Sequence, residues 1–483
     1  MNELNFQKLE ELEIATKKKI HFFQIDFLKA VMIFLVIFDH FVSWNIKNDI
    51  GVALWERISI PVFLVILGFN MGHSLKSQEN ATLKELYSWS YFKKKILRYV
   101  SPFLILYAVS TFIGLFMYGF DFELMYYSQY YPEHGFLNLL YFIMPFWGPG
   151  NWFIPVLFQS VLVVPLLYWM FTKKPVITLI LTFVVEMTMQ FIVFLLFGQG
   201  FTSWEQVHVY GLFSSSILFY LSAVGLGMWF SFGHGLTEKR NRFIWVLFPL
   251  SWIYLVAYQF FNFRFRISGM PLIRGDYNFL VFPYSAFLVL IALEILPNFS
   301  QKKISKRISL ISKATYHILL IQILGYAMMT AWWGTHYGMD VPFDPTDIID
   351  LVVLWIINVW FGILWYKIEK LQDIRRKIMY YINFFIIYPS QFLLTFWAQG
   401  FWIPIPLIII IAYAIVALTV HYRIKKPLST NLLTVWTGFL LVNFASTILQ
   451  VTFYSINDYW IFLIPIGIYL VYAIYYTYTH KNF

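Results

Sequence analysis

The chain has 483 residues, of which 60% are hydrophobic, 22% aromatic and only 12% charged, with a net charge of +10 and no cysteine. A soluble domain carries about one quarter charged residues, so water is not the main solvent of this chain. Disulfides, thiolate catalysis and cysteine metal sites are excluded, and the ten histidines show no close metal-ligand spacing.

Residues 1–24 read as a charged N-terminal tail with Lys17, Lys18 and Lys19 just before the membrane. Apolar runs of about twenty residues, enough to cross a ~30 Å hydrocarbon core as helix, then recur to the C-terminus. They fall near 25–44, 56–75, 97–118, 151–171, 176–198, 208–230, 243–262, 276–296, 309–332, 349–368, 379–397, 402–422, 430–453 and 460–480. The fold expected is an all-α polytopic membrane protein of about fourteen helices. The first run is not a cleavable signal, because it is full length, carries four ionisable residues and lacks a small-residue cleavage site. The longest segment between spans, 119–150, is aromatic and partly apolar, as a re-entrant or interfacial piece would be. No internal repeat of the transporter kind is visible.

With the N-terminus in the cytoplasm, the inner segments and adjoining helix ends hold all of the 35 lysines and arginines except Lys47, Arg57, Arg264, Arg266 and Arg274. That asymmetry follows the positive-inside rule and puts both termini in the cytoplasm, at the plasma membrane. The net charge therefore reads as topology and not as nucleic-acid binding, which needs basic residues gathered on one domain.

Ionisable residues inside spans are costly, and each is a functional hypothesis. The first span holds Asp26, Lys29, Asp39 and His40. Lys29 and His40 are eleven positions apart, three turns plus ~20°, so they share one face about 16 Å apart along the axis. Lys29 reads either as a lysine snorkelling to inner headgroups or as a cation held by Asp26 one turn earlier. Asp39 points ~100° away from its neighbour His40. Glu186, with Gln190 one turn on, lies in the middle of the fifth span and reads as a buried hydrogen-bonded carboxyl or as a catalytic or ion-coupling one.

The first span has Asp26, Leu28-Lys29, ten residues and His40. The second has Pro61-Val62-Phe63 and Gly68-Phe69, and Arg98 to Pro102 opens the third. Asn151-Trp152-Phe153, Tyr220 to Gly225, Ser312 to Gln322 and Tyr366 to Lys370 follow. In this order they resemble the landmarks of the membrane acyltransferases of family 3, over residues 21–372. Beside Leu67, which stands where a serine is usual, two departures from that pattern matter. Lys29 replaces an arginine, which keeps the charge and loses the bidentate fork. Gln322 replaces a histidine and cannot titrate.

The resemblance implies transfer of an acyl group, commonly acetyl, from cytoplasmic acyl-CoA to a hydroxyl of an extracytoplasmic glycan or lipid-linked sugar. Acyl-CoA is then the donor substrate and no cofactor is permanently bound. The catalytic residues would be His40 and Asp39. The donor would meet Lys29, Asp26, Lys94, Lys95, Arg98, Lys313 and His317, of which the last two lie one turn apart. Positive-inside topology alone also explains the loop lysines. On the acceptor side stand Arg57, Trp152, Glu133 and His134, with Asn151, Glu205 and His208 beside them; Trp152 suits a sugar face and equally a membrane interface. Glu186 and Gln322 remain buried polar groups. The core would be residues 25–372, and 373–483 a four-helix extension outside it. A transporter or flippase, or a non-catalytic relative of the acyltransferases, are the rival readings.

Overall fold

The computed structural model describes residues 22–42, 44–78, 81–119, 150–198, 214–267, 269–273, 275–299, 302–333 and 346–371, with Val471 and Tyr475. The N-terminal tail, the aromatic segment 120–149 and the last four expected spans lie outside the described residues, apart from those two isolated positions.

Among the described residues ten long helices follow one another, one for each of the first ten apolar runs. They are α1 (Phe23–Phe41), α2 (Ser59–Leu75), α3 (Ser101–Met117), α4 (Phe153–Lys173), α5 (Pro175–Phe197), α6 (Leu221–Ser231), α7 (Ile244–Phe261), α8 (Phe282–Ile295), α9 (Lys303–Trp333) and α10 (Thr346–Lys370). Six helical stretches are long and apolar enough to cross a bilayer, and the protein is a helical membrane protein. Two expected spans are shorter as helices. Of 208–230, the described residues 214–230 give α6 with a 3₁₀ turn at Ile217–Tyr220 before it, and 276–296 gives α8. Ahead of α8 the apolar Tyr277 and Val281 are buried in the protein outside the helix. Burial of an apolar loop looks, in sequence, like more span.

The centre is built from α1, α2 and α6. Every residue of α6 is buried. Small residues allow it to lie against α2 at backbone distance: a Cβ on Gly68 would run into the Val224 carbonyl, and one on Gly227 into the Val65 carbonyl. Close backbone approach through small residues is how helices pack where the solvent is as apolar as the side chains. α1 packs against α2, α8, α9 and α10, so its polar face meets protein on several sides. By contrast α5, α7 and α10 carry exposed apolar rows, among them Leu195 at 64%, Val246 at 65% and Ile356 at 63%. Exposed apolar rows of this length are lipid-facing surfaces.

One helix deviates for a local reason. Trp89–Lys95 runs into α3 through a π turn at Ile96–Val100, just before Pro102. Proline has no N–H and its ring clashes with the carbonyl four residues back, here that of Arg98, so the turn widens. Arg98 sits on that wide turn, exposed. At the opposite end of the bundle, two glutamines pin loops. Gln259 accepts from Ala53 N at 2.9 Å and donates to the Asn48 carbonyl at 2.9 Å. Gln190 accepts from Ile273 N at 3.0 Å and donates to its carbonyl at 3.4 Å. These loops carry Lys47, Glu56 and Arg57, and Asp276 and Tyr277.

Candidate active site

At its N-terminal end α1 is tied to α9 through one residue. Ser312 Oγ donates to Asp26 Oδ1 at 2.7 Å, and Lys29 Nζ donates to the Ser312 carbonyl at 2.7 Å. Lys29 therefore turns inward, toward α9, where snorkelling would turn it out. Arg98 and Lys313, both exposed, are the like charges whose fields reach it. Tyr316 braces this corner, its hydroxyl donating to the Tyr99 carbonyl at 2.9 Å. Lys93 and Lys94 are exposed; Lys95 lies against Met71 Sδ and over the Tyr91 ring at 5.4 Å. His317 is buried and faces α10, its Nε2 2.9 Å from Glu369 Oε2.

The C-terminal end of α1 is different. The His40 side chain is 18% exposed. Its ring lies 6.0 Å from that of Tyr326, which donates its hydroxyl to the Ile37 carbonyl at 2.8 Å. A Cβ on Gly150 would lie 3.5 Å from its Nε2. Asp39 Oδ2 is 3.8 Å from His40 Nδ1, beyond hydrogen-bond range. Asp39 belongs instead to an ion cluster: Lys47 Nζ lies 3.0 Å from Oδ1 and also donates to the Asp39 carbonyl, and Arg57 Nε is 3.8 Å from Oδ1. Arg57 Nε is 3.2 Å from Asp276 Oδ2, and its NH1 donates to Tyr277 Oη at 3.3 Å. Glu56 is fully buried among the same ions.

Arg57 thus serves as the knot of the cluster, between two carboxylates. Trp152 is half-buried and flanked by aromatic rings, Tyr220 at 5.5 Å and Tyr277 at 6.1 Å. Glu186 Oε2 accepts from Ser222 Oγ at 2.5 Å and from Ser222 N at 3.2 Å, a buried carboxyl holding the start of α6. Glu133, His134, Glu205 and His208 lie outside the described residues. Gln322 is fully buried on the α9 face toward α1, one turn before Tyr326.

Four residues of this arrangement are not marked by sequence motifs: Lys47, Glu56, Asp276 and Gly150. A signal for the first was present, since Lys47 and Arg57 are cations outside the basic loops, and a cation near lipid needs a carboxylate partner. The partner's position is set by tertiary structure, with Asp276 more than two hundred residues from Arg57.

Chemically, one helix presents a lysine tied to α9 at one end and a partly accessible imidazole at the other, on one face. A family model described as an acyltransferase domain matches residues 22–367. No curated protein and no solved structure matches the chain. The matched stretch contains all ten described helices almost to the end of α10, and with it both ends of α1; the chain belongs to acyltransferase family 3, the membrane acyltransferases.

Proposed function

We propose that the protein moves a short acyl group, acetyl in the first instance, from cytoplasmic acyl-CoA to a hydroxyl of an extracytoplasmic glycan or lipid-linked sugar at the plasma membrane. The observation that carries this reading is the unbroken helix α1, with Lys29 and His40 on one face about 16 Å apart. An extended pantetheine arm has a comparable length, so phosphates received near Lys29, Arg98 and Lys313 place the thioester near His40.

His40 then acts as general base. The acceptor O–H gives its proton to the imidazole, the oxygen bonds to the acyl carbon, the carbon–sulfur bond breaks, and the CoA thiolate takes the proton back. Asp39 acts through position: fixed by Lys47 and Arg57, it sets the end of α1 and the field at the imidazole. The basic loops support an orientation with Lys29 toward the cytoplasm and both termini there, in a reading of about fourteen spans. Residues 373–483 lie beyond the matched stretch and are read from the sequence alone as a four-helix extension.

The test is transfer or hydrolysis of radiolabelled acetyl-CoA by the purified protein. His40→Ala is expected to lower turnover by about 10²–10⁴-fold, the usual span of general acid–base catalysis, with CoA binding retained. A fully active His40→Ala protein sinks the assignment, and CoA binding without turnover in the wild type favours the non-catalytic relative.

A further inference from the structure

Of the cations outside the basic inner segments, Lys47 and Arg57 are accounted for by the ion cluster, and Arg274 lies outside the described residues. Arg264 and Arg266 remain, just past the end of α7. That end belongs to the His40 side of the bundle, because Gln259 in the last turn of α7 bonds Ala53 N and the Asn48 carbonyl, both in the segment after α1. Both arginines are exposed, and neither takes part in an ion pair among the described residues.

The backbone that carries them is fixed. Asn262, in the left-handed conformation that asparagine tolerates (φ 50°), turns the chain off α7, and Phe263 N donates to the Ala257 carbonyl at 3.0 Å. A short antiparallel hairpin follows, with Arg266 opposite Pro271 and Ile267 opposite Met270. Leu272 N closes it on the Phe265 carbonyl at 3.2 Å. The Arg264 guanidinium lies 6.0 Å from the centre of the Tyr258 ring, and Arg266 NH1 donates to the Gly269 carbonyl at 3.4 Å. Most of the five donors that each guanidinium carries are therefore unused within the described residues.

The surface around this pair is apolar. Phe260, Phe263 and Phe265 are exposed, and Phe261 is 77% exposed, more than any other large apolar side chain described. The strip continues along α7 through Ile253, Leu250 and Val246 at helical spacing. Two planar forks that match a phosphate thus stand at the head of a lipid-facing apolar strip.

We propose that the hairpin and the end of α7 bind the phosphate of a membrane lipid in the leaflet at the His40 end, with Arg264 and Arg266 on the phosphate and the apolar strip along the chain. A free anion meets the forks alone, and an uncharged lipid meets the strip alone; a lipid phosphate meets both. The face also adjoins the cluster beside His40. Tyr254 of α7 donates its hydroxyl to the Gly275 carbonyl at 2.8 Å, and the next residues, Asp276 and Tyr277, hold Arg57. Of the two acceptors proposed above, a glycan and a lipid-linked sugar, the face favours the second, joined to its lipid through phosphate. As a dock for the acceptor it rests on the acyl-transfer reading; as a lipid-phosphate site it stands without it.

The experiment titrates the full-length protein in dodecyl maltoside with farnesyl phosphate, read by native mass spectrometry and by the thermal midpoint. Farnesol supplies the chain alone and inorganic phosphate the anion alone. Wild type is expected to bind farnesyl phosphate saturably and neither of the others in the same range. Arg264→Gln/Arg266→Gln should weaken Kd by about 10–100-fold, as loss of charged hydrogen bonds does, and Arg264→Lys/Arg266→Lys should recover part of it. Phe261→Ser should weaken it less. All these side chains are exposed, so the midpoint without ligand should stay at the wild-type value. Inorganic phosphate bound as tightly shows a bare anion surface, farnesol bound as tightly shows a bare apolar one, and either overturns the proposal, as does binding unmoved by the double glutamine variant. No binding while His40-dependent transfer persists overturns the site alone. Binding as expected by a protein that transfers no acyl group upholds the site and removes its acceptor role.

Discussion

The two ends of α1 are built on opposite electrostatic plans. At the His40 end Lys47 and Arg57 are held in a cluster with Asp39 and Asp276, with Glu56 buried among them, while Arg264 and Arg266 stay exposed beyond α7. At the Lys29 end, Lys93, Lys94, Arg98 and Lys313 stay exposed to the surroundings, while Lys29 is drawn into the protein and Lys95 lies against Met71 and Tyr91. A cluster whose charges satisfy one another shapes a site without attracting highly charged anions. A rim of exposed cations attracts a polyphosphate and is weakened by salt. The difference teaches that charge count alone misleads: the two cations nearest His40 are structural, and most of those near Lys29 are available.

Arg57→Ala breaks the comparison most severely. It leaves Asp39 and Asp276 in a buried setting without their shared guanidinium, a change that costs about 3–5 kcal/mol. The expected outcome is a lower thermal midpoint in detergent and little folded protein. Arg57→Lys should recover part of the loss, because it restores the charge without the fork. An Arg57→Ala protein as stable as wild type, with weakened acceptor use, would move Arg57 from the cluster to the acceptor site.

Lys29→Ala probes the boundary between the two plans. A hydrogen bond from a charged group is worth about 1.5–3 kcal/mol, so loss of a phosphate contact there raises KM for acyl-CoA by about 10–100-fold while kcat changes less. A fall in stability with KM unchanged would show that Lys29 is a tie between α1 and α9 only. The smallest effect is expected from Lys94→Gln on the exposed rim, about twofold in KM, shrinking further at high ionic strength. A salt-independent effect of that size would argue against rim electrostatics.

How far these features were legible in the sequence depends on their range. The ten helices are written in local hydrophobicity, because a span must satisfy its own backbone and shows this over twenty consecutive residues. The lengths of α6 and α8 were overread, since Val281 is as apolar in a buried loop as in a helix. The shared face of Lys29 and His40 follows from helical periodicity alone. The partner of Lys29 does not, because the Ser312 carbonyl lies 283 residues away. Gly150 likewise reads as an ordinary turn glycine until its missing Cβ is seen to face His40 Nε2.

The loops at the His40 end hang on neutral amides, Gln259 to Ala53 and Asn48, and Gln190 to Ile273. Dissolved ions do little to such bonds. Ionic strength is therefore a dial connected to one side of the molecule: if the Lys29 end receives the donor as proposed, turning it up weakens that capture while the framework around the imidazole keeps its shape. On that reading the protein would lose its substrate before it lost its site, and dilution alone would bring it back.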